Sequence, residues 1–83
     1  MDKWFVYIVQ CRDDSLYTGI TTNVERRMQQ HNEGTGAKYT RSRRPVELVY
    51  WEEVSSHSDA LKREYAIKHL SREDKLKIIK PPA

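Results

Sequence analysis

The chain has 83 residues with 15 Lys and Arg against 12 Asp and Glu, giving a net charge of +3 and a pI near 9.1. A chain this short buries only about 60% of its unfolded surface, so one domain over 1–83 is expected, and a monomer, with no room for a second module. No apolar run approaches the ~20 residues of a membrane helix, Met1-Asp2-Lys3 opens no leader pattern, and the lone Cys11 excludes an internal disulfide or a thiolate zinc cluster. The expectation is a soluble cytoplasmic protein without membrane contact whose partners are polyanions.

Trp4 to Cys11 is rich in β-branched and aromatic residues, and Leu16 to Ile20 continues in that style behind the turn residues Arg12-Asp13-Asp14-Ser15, which predicts a β-hairpin. The first strand is apolar on both faces, Trp4, Val6 and Ile8 on one and Phe5, Tyr7 and Val9 on the other. It is therefore expected in the middle of a sheet covered on both sides. Thr22 with Glu25 three residues on reads as a capping box, opening a helix to about Asn32, before the breaker Glu33-Gly34-Thr35-Gly36. Val46 to Trp51 reads as a third strand. Ser56 with Asp59 and Ser71 with Asp74 predict two further helices before Pro81-Pro82 ends the chain. The fold class is α/β in the α+β sense, a small three-stranded antiparallel sheet flanked by helices in the order ββαβαα.

At about 100° per residue, Val24, Arg27, Met28 and His31 share one face of the first helix, whereas Arg26, Gln29 and Gln30 point elsewhere. Arg27 and His31 are thus expected to face inward. The same arithmetic sets Glu64 within a stripe of Ala60, Leu61 and Ile67, where a carboxylate is costly unless it is paired, hydrogen-bonded or holding a cation. Either Glu64 pairs with Arg27 or Lys68 at a half-buried helix edge, or it belongs to a site.

Ordered along the chain, Phe5-Val6-Tyr7, then Tyr17-Thr18-Gly19 ten residues on from tyrosine to tyrosine, then a helix bearing Arg27 and His31, and later Glu64 in Leu61-Lys62-Arg63-Glu64-Tyr65, resemble the catalytic core of the GIY-YIG nucleases. Gly36-Ala37-Lys38-Tyr39-Thr40-Arg41 and Arg44-Pro45-Val46-Glu47-Leu48-Val49-Tyr50 are similar to its small stand-alone branch, the YhbQ/YazA-like proteins. Phe5 stands where the signature has glycine and Thr18 where it has isoleucine, and no asparagine follows Asn32 to match one found late in some members. The resemblance implies a metal-dependent endonuclease acting on DNA or branched nucleic acid with little sequence preference, in DNA repair or recombination. Tyr7, Tyr17, Arg27, His31 and Glu64 are its implied catalytic set.

Hydrolysis of a phosphodiester needs an activated water, a countercharge for the phosphate and a stabilised leaving oxygen. Glu64 is the residue to hold one Mg²⁺ or Mn²⁺, with waters and phosphate oxygens completing the shell, and Arg27 offers paired donors to the phosphate. A tyrosine serving as base needs its ordinary pKa of about 10 brought to about 7, a difference of about 4 kcal/mol. Tyr17 is preferred as base with Tyr7 as its hydrogen-bonding neighbour, and His31 is the alternative proton relay.

Lys38, Tyr39, Arg41, Arg43 and Arg44 set four cations around an aromatic ring, which suits a phosphate backbone and a stacked base. Lys75, Lys77 and Lys80 read as helix-surface charge, and His57 and His69 have no partner at ligand spacing. The competing reading is a nucleic-acid-binding or adaptor module with weak or no catalysis, its specificity supplied by a protein partner.

Overall fold

The computed structural model describes residues 3–79; Lys80 and the Pro81-Pro82 stop lie outside the described residues. In chain order the elements are β1 (Trp4–Gln10), β2 (Leu16–Thr21), α1 (Val24–Glu33), α2 (Lys38–Arg41), β3 (Glu47–Val54), α3 (His57–Lys68) and α4 (Arg72–Ile79). The three strands form one antiparallel sheet in the order β2-β1-β3, with the doubly apolar β1 in the centre.

Both faces of β1 are covered, as its composition requires. Val6 and Ile8 join Ala60 and Ile67 of α3, with Ile78 and Ile79 of α4 against them, while Tyr7, Val9 and Cys11 join Val46 on the other face, against Met28 of α1. Val6, Tyr7, Ile8 and Val9 are all fully buried. Complete burial of each aliphatic side chain contributes about 1.5–3 kcal/mol, so β1 is the spine of the fold. A bulge interrupts the β1–β3 ladder: Ile8 opposes Tyr50 but Val9 opposes Leu48. The extra residue is Val49, and it brings Leu48 and Trp51, three apart, to the same face.

Several local expectations need correction. The order is ββααβαα, because the basic segment Lys38–Arg41 closes a helical turn of its own. The α1 cap is Asn23, not Thr22: its side chain accepts the Arg26 amide at 3.0 Å. At the other end of α1, Gly34 adopts φ 88°, the left-handed region open to glycine, and its amide donates to the His31 carbonyl. Ser56 and Ser71 cap α3 and α4 as predicted, each accepting an amide at 3.1 Å. The third strand starts one residue later than expected and continues to Val54. Leu61 is 46% exposed and outside the buried stripe of α3, since it lies about 100° from Ala60 whereas Glu64 and Ile67 lie within about 40°.

Candidate active site

Tyr7 of β1 lies opposite Gly19 of β2. A Cβ on Gly19 would sit 2.5 Å from Tyr7 Oη and 2.7 Å from Cζ, so the glycine of the Tyr-Thr-Gly tripeptide is the floor on which the tyrosine ring rests. Held there, the Tyr7 hydroxyl meets His31 Nε2 at 2.8 Å and receives Arg27 Nε at 3.4 Å. Arg27 and His31 do face the sheet from α1, as expected. Gln30 does not point away, however: its Oε1 accepts Arg27 Nη1 at 3.1 Å, and both residues border a cleft of about 370 Å³ with Trp4, Thr22 and Arg26.

The buried end of this network fixes the histidine tautomer. His31 Nδ1 lies 2.8 Å from Thr40 Oγ1, and that hydroxyl donates to the Ala37 carbonyl at 3.0 Å. A carbonyl only accepts, so with the Thr40 proton directed at Ala37 the threonine oxygen accepts from Nδ1–H, the tautomer assigned to His31. Nε2 is then the bare nitrogen and accepts the Tyr7 hydroxyl. Protons thus point one way, from Arg27 to Tyr7 to His31 to Thr40 to Ala37. Gly36 closes over the ring, where a Cβ would come within 2.5 Å of His31 Nδ1.

Burial, reinforced by the Arg27 charge, depresses the His31 pKa to about 4, so the imidazole is neutral at neutral pH. For Tyr7, burial outweighs the Arg27 hydrogen bond and charge, with Tyr17 and Glu64 adding to it, and the phenol is pushed above its ordinary value. Burial at Tyr7 therefore opposes the fall in pKa that a tyrosine base requires. Fully buried, Tyr7 ties Arg27 to His31 through its hydroxyl.

Tyr17 is half-buried, with its ring edge-on to His31 at 5.6 Å and stacked on Tyr39 at 5.8 Å and 22°. Lys68 Nζ stands 6.0 Å from the Tyr17 ring centre and 3.4 Å from the Glu64 carboxylate, whose side chain is 20% exposed. Glu64 is thus linked to the tyrosines through Lys68, and its charge reaches Tyr7. The pairing of Glu64 with Lys68, one of the two expected partners, is observed. Among the described residues no group of three or more His, Cys, Asp or Glu converges. A hard divalent cation that keeps most of its waters needs no such cage, and the partly exposed Glu64 carboxylate can offer it one oxygen where Lys68 gives way.

The basic segment divides in two. Arg43 is committed: its Nε pairs with Asp13 at 3.1 Å, its Nη1 donates to the Tyr39 carbonyl at 2.7 Å, and its guanidinium lies 4.0 Å over the Tyr39 ring. Arg44 donates to the carbonyls of Arg41 at 2.9 Å and Asn32 at 3.3 Å. Lys38 and Arg41 are exposed. Neither shows an ion pair or side-chain hydrogen bond among the described residues. Tyr39 is brought to the Tyr7–His31 cluster by its stack on Tyr17. His57 packs at a tilt against Trp4 and His69 against Tyr65. Gln30 had no signal in the sequence, and Thr40 and Gly36 had none beyond lying in the stretch similar to the stand-alone branch, because each matters only through a partner on a different turn or element.

A central strand whose tyrosine rests on a glycine of the next strand, with an arginine and a histidine delivered from the following helix, is the arrangement that the resemblance to a nuclease-type catalytic domain implies. The GIY-YIG catalytic domain matches residues 3–77, and the chain belongs to that family. It is 63% identical to the UPF0213 protein SH2523 of Staphylococcus haemolyticus over 79 residues, covering 95% of this chain and 96% of the relative. It is also 61% identical to a UPF0213 protein of Staphylococcus epidermidis with the same coverage. Among solved structures, the solution NMR structure of the UPF0213 protein BH0048 from Bacillus halodurans is similar at TM-score 0.60 and 47% identity, covering 93% of this chain and 82% of that one. The solution NMR structure of protein EF2693 from E. faecalis is similar at TM-score 0.62 and 45% identity, with 90% and 80% covered. These neighbours share the antiparallel sheet with helices, and membership of the family implies nuclease-type function with a general dependence on a divalent metal.

Proposed function

We propose that the chain is a single-metal endonuclease that hydrolyses phosphodiesters in DNA or branched nucleic acid with little sequence preference, in repair or recombination. The observation that supports it most is the convergence of Arg27, Tyr7 and His31 in one hydrogen-bonded chain, with Tyr17 packed on His31 and the Glu64–Lys68 pair beside it.

In this reading Glu64 holds Mg²⁺ or Mn²⁺, which when bound supplies the countercharge for the leaving oxygen. Arg27, braced by Gln30 and Tyr7, presents guanidinium donors to the scissile phosphate. Tyr17, only half-buried and beside the Lys68 cation, orients the attacking water and, as its phenolate, accepts the proton of that water to become the neutral phenol. Tyr7 and His31 move no proton to substrate; they hold Arg27 and the Tyr17 ring in place. Lys38 and Arg41 take the flanking backbone, and Tyr39 stacks on an unpaired base.

A nucleic-acid-binding module is the second reading, favoured by the Lys68 ammonium that already occupies Glu64 at 3.4 Å. A panel of duplex, single-stranded and junction substrates incubated with Mg²⁺, Mn²⁺ or EDTA separates the two. The nuclease cuts at least one of them with a metal and none with EDTA; binding without cleavage in every metal leaves the module.

A further inference from the structure

A second basic cleft, of about 470 Å³, opens beyond α2, lined by Arg12, Asn32, Arg41, Ser42, Arg44 and Pro45. It holds three arginines and no carboxylate. Asp13, the acid next to Arg12, is already spent, since it accepts the Arg43 guanidinium and both donors of Ser15. The cleft is also built rather than incidental. The Arg12 backbone is set beside the loop by its amide N–H, which donates a hydrogen bond to the Arg43 carbonyl at 2.9 Å. Arg44 is braced by the Arg41 and Asn32 carbonyls, which leaves its second terminal nitrogen without a partner among the described residues. The Asn32 amide is locked in turn on the backbone of Val46 at 2.8 and 3.2 Å. Gly34 makes room for this arrangement, since a Cβ there would lie 2.9 Å from Arg44 Nη1. The Arg44 guanidinium, preorganised in this way, matches phosphate oxygens and loses little freedom on binding, while Arg12 and Arg41 bring exposed guanidinium donors to the same cleft.

We infer that the Arg12–Arg41–Arg44 cleft is an anchoring site for a phosphate group of the nucleic acid, separate from the phosphate taken by Arg27; this rests on the nucleic-acid reading above. The short helix α2 joins the two sites. Tyr39 stacks on Tyr17, Thr40 holds His31, and the next residue, Arg41, enters the cleft. A strand seated in the cleft is thereby held in register with the catalytic cluster, and the occupied cleft steadies the turn that fixes His31.

Phosphate here has two sources, an internal backbone phosphate or a 5′-terminal one, and one titration distinguishes them. Binding of a labelled 20-mer duplex, with 5′-hydroxyl or 5′-phosphate ends, is measured against salt for Glu64→Gln and for the same protein carrying Arg12→Gln and Arg41→Gln. Both arginines are exposed with no side-chain partner among the described residues, so the fold, checked by circular dichroism, tolerates their loss. Loss of the one anchored phosphate lowers the slope of log K against log salt by about 0.9. That drop with either end identifies a backbone phosphate, and a drop confined to 5′-phosphate ends identifies the terminal one. An unchanged slope overturns the cleft, as does failure of the unsubstituted cleft to bind nucleic acid. A lowered slope together with no cleavage by wild type in any metal leaves the cleft standing and removes the catalytic reading.

Discussion

Replacing Thr40 with valine probes the directed chain of protons through His31. Thr40 and His31 are both fully buried, and valine keeps the shape of threonine while deleting the oxygen that accepts His31 Nδ1–H. The Ala37 carbonyl is not orphaned, because it still accepts the Thr40 amide at 3.1 Å, so the loss concentrates on the imidazole. A buried donor left without a partner costs about 1–3 kcal/mol, and the added methyl returns less than about 1 kcal/mol. A net loss of about 1–2 kcal/mol is expected, read as a lower urea midpoint, and in a domain of this size each kcal/mol lowers Tm by about 4–8 °C. Long-range ¹H–¹⁵N NMR on the wild type should show the proton on Nδ1 and a bare Nε2, and Thr40→Val should perturb both nitrogens. A wild-type ring protonated on Nε2, or a stability change under about 0.5 kcal/mol, refutes the network.

The same histidine sets a pH dependence. Its folded pKa of about 4 lies below the unfolded value of about 6.5, so between those limits the unfolded chain binds a proton that the native chain does not. The contribution is complete above pH 6.5 and is lost as pH falls to about 4, on the order of 3 kcal/mol in all, whereas His31→Gln should flatten that part of the profile of urea midpoint against pH. Asp13 and Asp59, with carboxyls held below their ordinary range chiefly by serine hydrogen bonds, lose their contribution only at lower pH. Gly19→Ala drives a methyl into the Tyr7 ring and should cost about 1–3 kcal/mol while displacing the hydroxyl from His31; equal stability with an unmoved Tyr7 would contradict that geometry. The Thr18 hydroxyl is buried without a partner among the described residues, at the position where the family signature has isoleucine. Thr18→Val should raise stability by about 1 kcal/mol, and a fall would mean that the hydroxyl is satisfied after all.

Where residues act through their own periodicity, the sequence was a sufficient guide. β1 is central because apolar residues occupy both of its faces, and α1 turns Arg27 and His31 inward because they lie four apart on the stripe with Val24 and Met28. Ser56 and Ser71 cap their helices because an N-cap is a contact three residues long. Failures arose where a local pattern had a neighbour of equal quality, or where the partner is distant. Asn23, adjacent to Thr22, is as good a cap and takes the role. Leu61 and Glu64 both looked central on α3, but only the angle to the sheet decides which is covered. Thr40 and Arg43 sit in one basic run, yet the first is buried on a histidine nine positions earlier and the second is tied to an aspartate 30 positions earlier. No period of the chain encodes such pairs, and a run of like charge conceals that two of its arginines brace backbone.

The reading of the site as a metal-dependent nuclease is tested most directly by nicking of supercoiled plasmid in Mg²⁺ by the wild type and by Glu64→Gln. Glutamine keeps the length and polarity of the side chain at an edge already 20% exposed, so folding and DNA binding should persist. Wild-type nicking that disappears in Glu64→Gln at unchanged DNA affinity is the predicted result. Equal nicking by both proteins would contradict the assignment of the metal to Glu64, and with it the catalytic account.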